Sequence, residues 1–470
     1  MERLKFVFMV RKDNTKNNTK KSLSSSQLIP VGFLLLILAG TLLLCLPFST
    51  VEGEKTSVLT ALFTATTSTC VTGLVVVNTF SHWTLFGQAV ILMLIQFGGM
   101  GIVAITALVM ILARRKLTMA NRVLLMDSFN LDTPGGVVRF LRKVFVGVFI
   151  VESIGALLYS FYFIPVYGFA RGIWYSFFHS ISAFCNAGID LLGENSLIPF
   201  QSNLYILTIT MALIVLGGLG YIVWFDLLNG IYQVFKKKKL RFFRQNINEH
   251  TKLVLVLTVF LIVSGAFFTF IMEYSNPSTI GNMSLWSKLV NSLFQSVTLR
   301  TAGFAAVPQE NLTESTAFLS CFYMFIGGSP MGTAGGVKTV TFFVLVLTTA
   351  SFVRGRNETV VFRRAFSVDM AKKATAIVTI RFAVTMVMTI LLMNSNNLSL
   401  IDAMYEMFSA TATVGLSRNV TSSLNAIGRI LVIVAMYLGR IGPISMVLFF
   451  NRKISDKNAV RFAKGKYFIG

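Results

Sequence analysis

The sequence predicts an all-α membrane protein: four tandem helix–pore helix–helix repeats around one pseudo-fourfold pore, with eight transmembrane spans. Three observations carry this. Of 470 residues, 54% are hydrophobic and only 13% charged, and the mean hydropathy is +0.71, the balance of a polytopic membrane protein. A short stretch ending in glycine is written four times: Val71-Thr72-Gly73-Leu74, Asn186-Ala187-Gly188-Ile189, Thr301-Ala302-Gly303-Phe304 and Thr413-Val414-Gly415-Leu416. Its glycines fall 115, 115 and 112 residues apart. Finally, Lys/Arg clusters alternate along the chain with segments that are mildly acidic and poor in basic residues.

A span needs roughly 20 apolar residues. Candidates lie at 28–47, 86–112, 144–166, 204–234, 253–272, 318–353 (interrupted), 375–393 and 426–450, two per repeat. Between the members of each pair, a run of small and polar residues reads as a short re-entrant helix entering a turn, at 62–70, 177–185, 293–300 and 404–412. The glycine at each turn permits positive φ at little cost. It lets successive carbonyls point the same way, so four copies can ring a cation with oxygens that replace its water shell. Any one copy is equally well read as helix-packing sequence; four in register are not.

Some 24 to 29 residues beyond each turn comes a second glycine cluster: Gly98-Gly99-Met100-Gly101, Gly217-Gly218-Leu219-Gly220, Gly327-Gly328 and Gly439-Arg440-Ile441-Gly442-Pro443. In the third repeat this cluster extends into Gly327-Gly328-Ser329-Pro330-Met331-Gly332-Thr333-Ala334-Gly335-Gly336-Val337-Lys338, which cannot hold a regular helix. Irregular backbone at membrane depth lines a cavity or is buried in protein, so a movable loop under the turns is expected. Arg440, in an otherwise apolar run, should face water, the pore or an acidic partner. A gate is therefore expected from Gly327, Gly328, Gly332, Gly335, Gly336, Lys338 and Arg440. Glu152 in its span marks either a pathway or a hydrogen-bonded support, and Asp190, just past the second turn, is expected at the outer mouth.

The formal charge of +23 is explained by topology rather than by nucleic-acid binding. Lys and Arg cluster at 3–21, 114–143, 236–252, 354–381 and 452–466, and the positive-inside rule makes these segments and both termini cytoplasmic. The run Lys236-Lys237-Lys238-Lys239 suits anionic lipid. Cys45, Cys70, Cys185 and Cys321 show no metal or disulfide spacing and read as small buried hydrophobes. Three histidines form no catalytic constellation, and no nucleotide-binding glycine loop follows a strand. The chain divides into a tail (1–27), repeat 1 (28–116), a linker with repeat 2 (117–239), repeat 3 with its intramembrane loop (240–356), and repeat 4 with its tail (357–470).

On the four turns, the Gly-Gly-Ser-Pro-Met-Gly-Thr-Ala-Gly-Gly loop and the Gly-Arg-Ile-Gly-Pro stretch, the chain resembles the potassium-translocating subunits of the Ktr/Trk/HKT superfamily, KtrB-type above all. The likeness covers roughly residues 28 to 470. It implies potassium uptake across the plasma membrane with no enzyme activity, no structural metal and no cofactor bound by this chain. It also implies Gly73, Gly188, Gly303 and Gly415 as filter glycines. A homodimer is implied, docked on a cytoplasmic ring of KtrA/KtrC-like regulatory subunits that carry ATP or ADP, with sodium stimulation. The first two turns depart from Thr-X-Gly. A Trk-like secondary transporter carrying sodium with potassium is the competing reading.

Overall fold

A computed structural model of the chain describes residues 25–51, 56–101, 136–237, 247–356 and 358–442. The N-terminal tail up to residue 24, most of the 114–143 link, part of the 236–252 link, Pro443 and the C-terminal tail lie outside the described residues. What is described is mostly helical. A departure from all-α is a two-residue hairpin, β1 (Val360–Val361) paired antiparallel with β2 (Arg364–Ala365).

In chain order, α1 (Ser25–Leu44), α2 (Val58–Cys70), the single turn α3 (Thr79–His82) and α4 (Leu85–Met100) come first. Next are α5 (Val137–Tyr167), α6 (Phe169–Cys185), α7 (Leu204–Leu219) and α8 (Tyr221–Lys237). Then follow α9 (Glu249–Glu273), α10 (Leu285–Thr298), α11 (Glu314–Phe325) and α12 (Thr339–Val353). Last come α13 (Val368–Asn396), α14 (Leu400–Ala412) and α15 (Ala426–Ile441). Their starts are encoded locally. Ser57, Ser284 and Ser399 each turn a hydroxyl onto the amide three residues on, opening α2, α10 and α14. The hydroxyls of Thr84 and Thr313 and the amide oxygens of Asn203 and Asn425 accept in the same way at the starts of α4, α11, α7 and α15. Such caps satisfy amides that have no partner inside the helix.

Among the described residues, α5, α9 and α13 are long and apolar enough to cross a membrane. The long helices carry exposed apolar residues. On α9 these include Val256, Val259, Phe260, Val263, Phe267 and Ile271, a helical stripe suited to lipid rather than water. The opposite faces enclose the four short helices α2, α6, α10 and α14, whose residues are mostly buried. Packing closes a cycle: α4 lies on α6, α7 on α10, α11 on α14, and α15 back on α2.

The expected span at 204–234 is not one helix. α7 and α8 are bent by 102° at Gly220, whose φ of 90° and ψ of 141° suit glycine alone among ordinary residues. The bond from the Tyr221 amide that would continue the helix goes instead to Met331 O, at 3.1 Å. The carbonyls of Gly217 and Gly218 accept from the amides of Thr333 and Ser329 at 3.1 and 2.9 Å. A kink needs such a cause, and here the loop of residues 326–338 supplies it. α4 and α15 stop at Gly101 and Gly442 in the same conformation (φ 85°, ψ 136° and φ 83°, ψ 150°). Cys70, Cys185 and Cys321 are buried as expected, but Cys45 is exposed at the end of α1.

Candidate ion filter and the loop beneath it

A left-handed residue follows each short helix, directly at Val71 (φ 56°), Asn186 (60°) and Thr413 (53°) and three residues past the end of α10 at Thr301 (67°). Two residues on, the glycines repeat the sign: Gly73 (98°), Gly188 (66°), Gly303 (84°) and Gly415 (100°). In a strand, successive residues face opposite sides; alternating left-handed and ordinary dihedrals turns carbonyls to one side instead. Holding β-branched Val71, Thr301 and Thr413 at positive φ costs about 1–3 kcal/mol each, a strain that persists where surrounding structure enforces it.

The four turns face one another in a closed ring. A Cβ added to Gly188 would lie 2.6 Å from Ala302 O, and one added to Gly303 would lie 2.5 Å from Val414 O. At Gly73 and Gly415 it would come closer still, to Ala187 O and Thr72 O. Each glycine thus abuts the carbonyl before the next glycine, in the order one, two, three, four, one. Any side chain here would enter the ring, which explains the glycines physically.

Short-helix hydroxyls hold the turns, in two ways. Thr67 Oγ1 and Ser409 Oγ accept from the amides of Gly73 and Gly415, both at 3.0 Å. Ser182 Oγ and Thr298 Oγ1 instead donate to the carbonyls of Ile189 and Phe304, at 2.6 and 2.7 Å. The ring is therefore fourfold in path but not in bonding. The Thr72 and Thr413 hydroxyls are buried with no hydrogen-bond partner among the described residues.

One side of the ring opens into a mouth of about 140 Å³, lined by the four glycines with Asn78, Asp190, Glu194, Ser196, Gln309 and Ser417. Adjacent turns are stapled across it. Asn78 Nδ2 donates to Gly193 O (2.7 Å), the Leu197 amide to Ala305 O (3.0 Å), and Arg418, paired with Asp402 at 2.8 Å, to Gln309 O (3.3 Å). Buried Glu406 takes the hydroxyls of Ser417 and Thr421. Nothing in the spacing singled out Glu406 or Arg418; the signal was charge within the small, polar run 404–412 and just past its turn.

On the other side lies the loop of residues 326–338. Thr301 Oγ1 accepts from the Gly335 amide at 3.2 Å, and a Cβ on Gly335 would collide with Thr413 Oγ1. Thr333 Oγ1 donates to Phe184 O (3.0 Å) and Lys338 Nζ to Ala334 O (2.5 Å). Gly327 and Gly336 pack backbone to backbone, Gly328 sits against Ala334 and Gly218, and Gly332 against Gly217 O. Arg440 reaches in from α15, donating to Thr333 O at 2.8 Å, Gly98 O at 2.5 Å and Gly99 O at 3.2 Å. It joins the loop to the end of α4. Its partners are carbonyls, not the acidic group that sequence left open. Glu152 lies apart from the ring, accepting from Gln96 Nε2 at 3.1 Å beside Cys185 Sγ at 3.9 Å.

Known proteins match over nearly all of this chain. The family model described as TrkH, cation transport protein, matches residues 8–461. The chain is 36% identical to the potassium/sodium uptake protein NtpJ of Enterococcus hirae, over 92% of this chain and 94% of that protein. It is also 36% identical to the Ktr system potassium uptake protein B of Bacillus subtilis, over 94% and 96%. The crystal structure of the potassium transporter TrkH from Vibrio parahaemolyticus superposes with a TM-score of 0.71 at 16% identity, covering 93% of this chain and 87% of that one. This protein belongs to the TrkH cation transport protein family, whose members are membrane transporters for cation uptake and not enzymes.

Proposed function

We propose that this chain takes potassium into the cell through a filter made by Val71-Thr72-Gly73, Asn186-Ala187-Gly188, Thr301-Ala302-Gly303 and Thr413-Val414-Gly415. The observation that carries the reading is the ring in which each glycine abuts the next turn's carbonyl. Backbone oxygens so arranged replace a cation's hydration shell. The reading includes four repeats (28–116, 117–239, 240–356 and 357–470), eight spans and cytoplasmic termini, with the mouth outside, where Asp190 and Glu194 concentrate cations.

The loop 327–338 and Arg440 form the gate, because they lie across the exit of the ring. A guanidinium 4 Å from a passing cation opposes it by about 4 kcal/mol at an effective dielectric near 20. Control by a cytoplasmic nucleotide-binding ring, a homodimer and sodium stimulation complete the proposal. A partner subunit is supported by the Ktr-system relative, and the basic links suit a cytoplasmic docking surface; the nucleotide, the homodimer and sodium stimulation rest on the resemblance alone. A second reading, sodium moving with potassium, is favoured by the potassium/sodium relative. Potassium-dependent growth of an uptake-deficient cell tests the first. Radioactive sodium entering in fixed proportion to potassium would favour the second.

A further inference from the structure

Arg381 lies inside α13, within the apolar stretch 375–393, yet only 6% of it is exposed. Among the described residues no carboxylate pairs with it. Its Nη1 donates to Gly439 O at 3.0 Å and its Nη2 to Thr411 O. Both carbonyls lack their helical partners. Gly439 O would accept from the residue four on, but that residue is Pro443, which has no amide hydrogen. Thr411 O would accept from Gly415, whose amide is held instead by Ser409 Oγ. A buried carbonyl left so is costly, and one guanidinium in its fork geometry serves two.

The two carbonyls belong to different machinery. Thr411 is two residues before the fourth filter turn, and Gly439 immediately precedes Arg440. Gly439 also packs its backbone against Thr411 O, and Thr385 Oγ1, one turn along α13, meets Thr411 Oγ1 at 3.0 Å. We propose that Arg381 is a positioning residue that locks the end of α14 to the end of α15, so that the fourth filter turn and the Arg440 contact with the loop move as one. This rests on reading Arg440 and the loop as the gate. It adds the residue through which the gate and the filter sense each other.

The test is a double-mutant cycle in the full-length protein: Arg381→Gln, Arg440→Ala and the pair. Two signals are read, potassium flux in proteoliposomes and the thiol-labelling rate of Met331→Cys in the loop, with Met331-retaining protein as control. Arg381→Gln is expected to raise labelling and flux at least threefold, and the pair to match Arg440→Ala alone, because both changes release one lock. Arg381→Lys, which reaches one carbonyl at a time, is expected to fall between, and it replaces Arg381→Gln if that variant does not reach the membrane. Effects that multiply in the pair, or labelling unchanged in the Arg381 variants, overturn the assignment. Labelling that follows the cycle while wild type carries no potassium would refute the proposed function and leave the lock standing.

Discussion

Replacing Arg440 by alanine removes three donated hydrogen bonds, two of them short: 2.5 Å to Gly98 O and 2.8 Å to Thr333 O. Bonds from a charged donor contribute about 1.5–3 kcal/mol each. Water entering the space the side chain leaves offsets part of this, so about 3 kcal/mol is a fair net loss for the closed loop. That shifts the open-to-closed ratio about 150-fold. If the wild-type loop stands aside about 1% of the time, as minor states do, the variant's does so about 60% of the time. Rubidium uptake by proteoliposomes, normalised to reconstituted protein, should rise by tens of fold. The potassium-to-sodium preference should hardly move, because no filter carbonyl has lost a partner. Uptake that falls in a normally expressed variant would show Arg440 to be a support and not a barrier.

Gly415→Ser, and the same change at Gly73, Gly188 and Gly303, puts a side chain into the ring at positive φ. Strain of about 1–3 kcal/mol, relieved by widening the ring, should cut potassium preference by about 5- to 150-fold; competition of sodium against rubidium uptake measures it. Asp190→Asn removes a charge from the lining of the mouth, where an entering cation is taken to pass at about 8 Å. At an effective dielectric near 40 this is worth about 1 kcal/mol, so the apparent potassium KM should rise about fivefold at low salt and less at high salt. A cysteine at Lys237 should react with impermeant thiol reagents only from the cytoplasmic side; labelling from outside would sink the proposed topology.

The ring of turns was legible because backbone conformation has a composition. Gly73, Gly188, Gly303 and Gly415 recur at one period, and the loop 327–336 is too rich in glycine to be helical. Arg440 stood out as charge in an apolar run. Three features were not legible, each because a partner distant in sequence decides it. The break at Gly220 exists because the loop takes over the bonds around it, while the run 204–234 alone reads as one span. Arg381 was counted with the basic 354–381 link, since its neighbours Lys372 and Lys373 are basic; that it follows six residues into the apolar stretch was the available signal. Glu406 and Arg418 bind loops that only the closed ring brings together.

The central claim is that the four turns hold potassium with backbone oxygens. Crystals of the full-length protein grown in rubidium, with data collected at the rubidium absorption edge, test it most directly. The account predicts anomalous peaks on the ring axis, level with the carbonyls of Thr72, Ala187, Ala302 and Val414. Peaks confined to the mouth beside Asp190 and Glu194, with an empty axis in a protein that transports potassium, would contradict it.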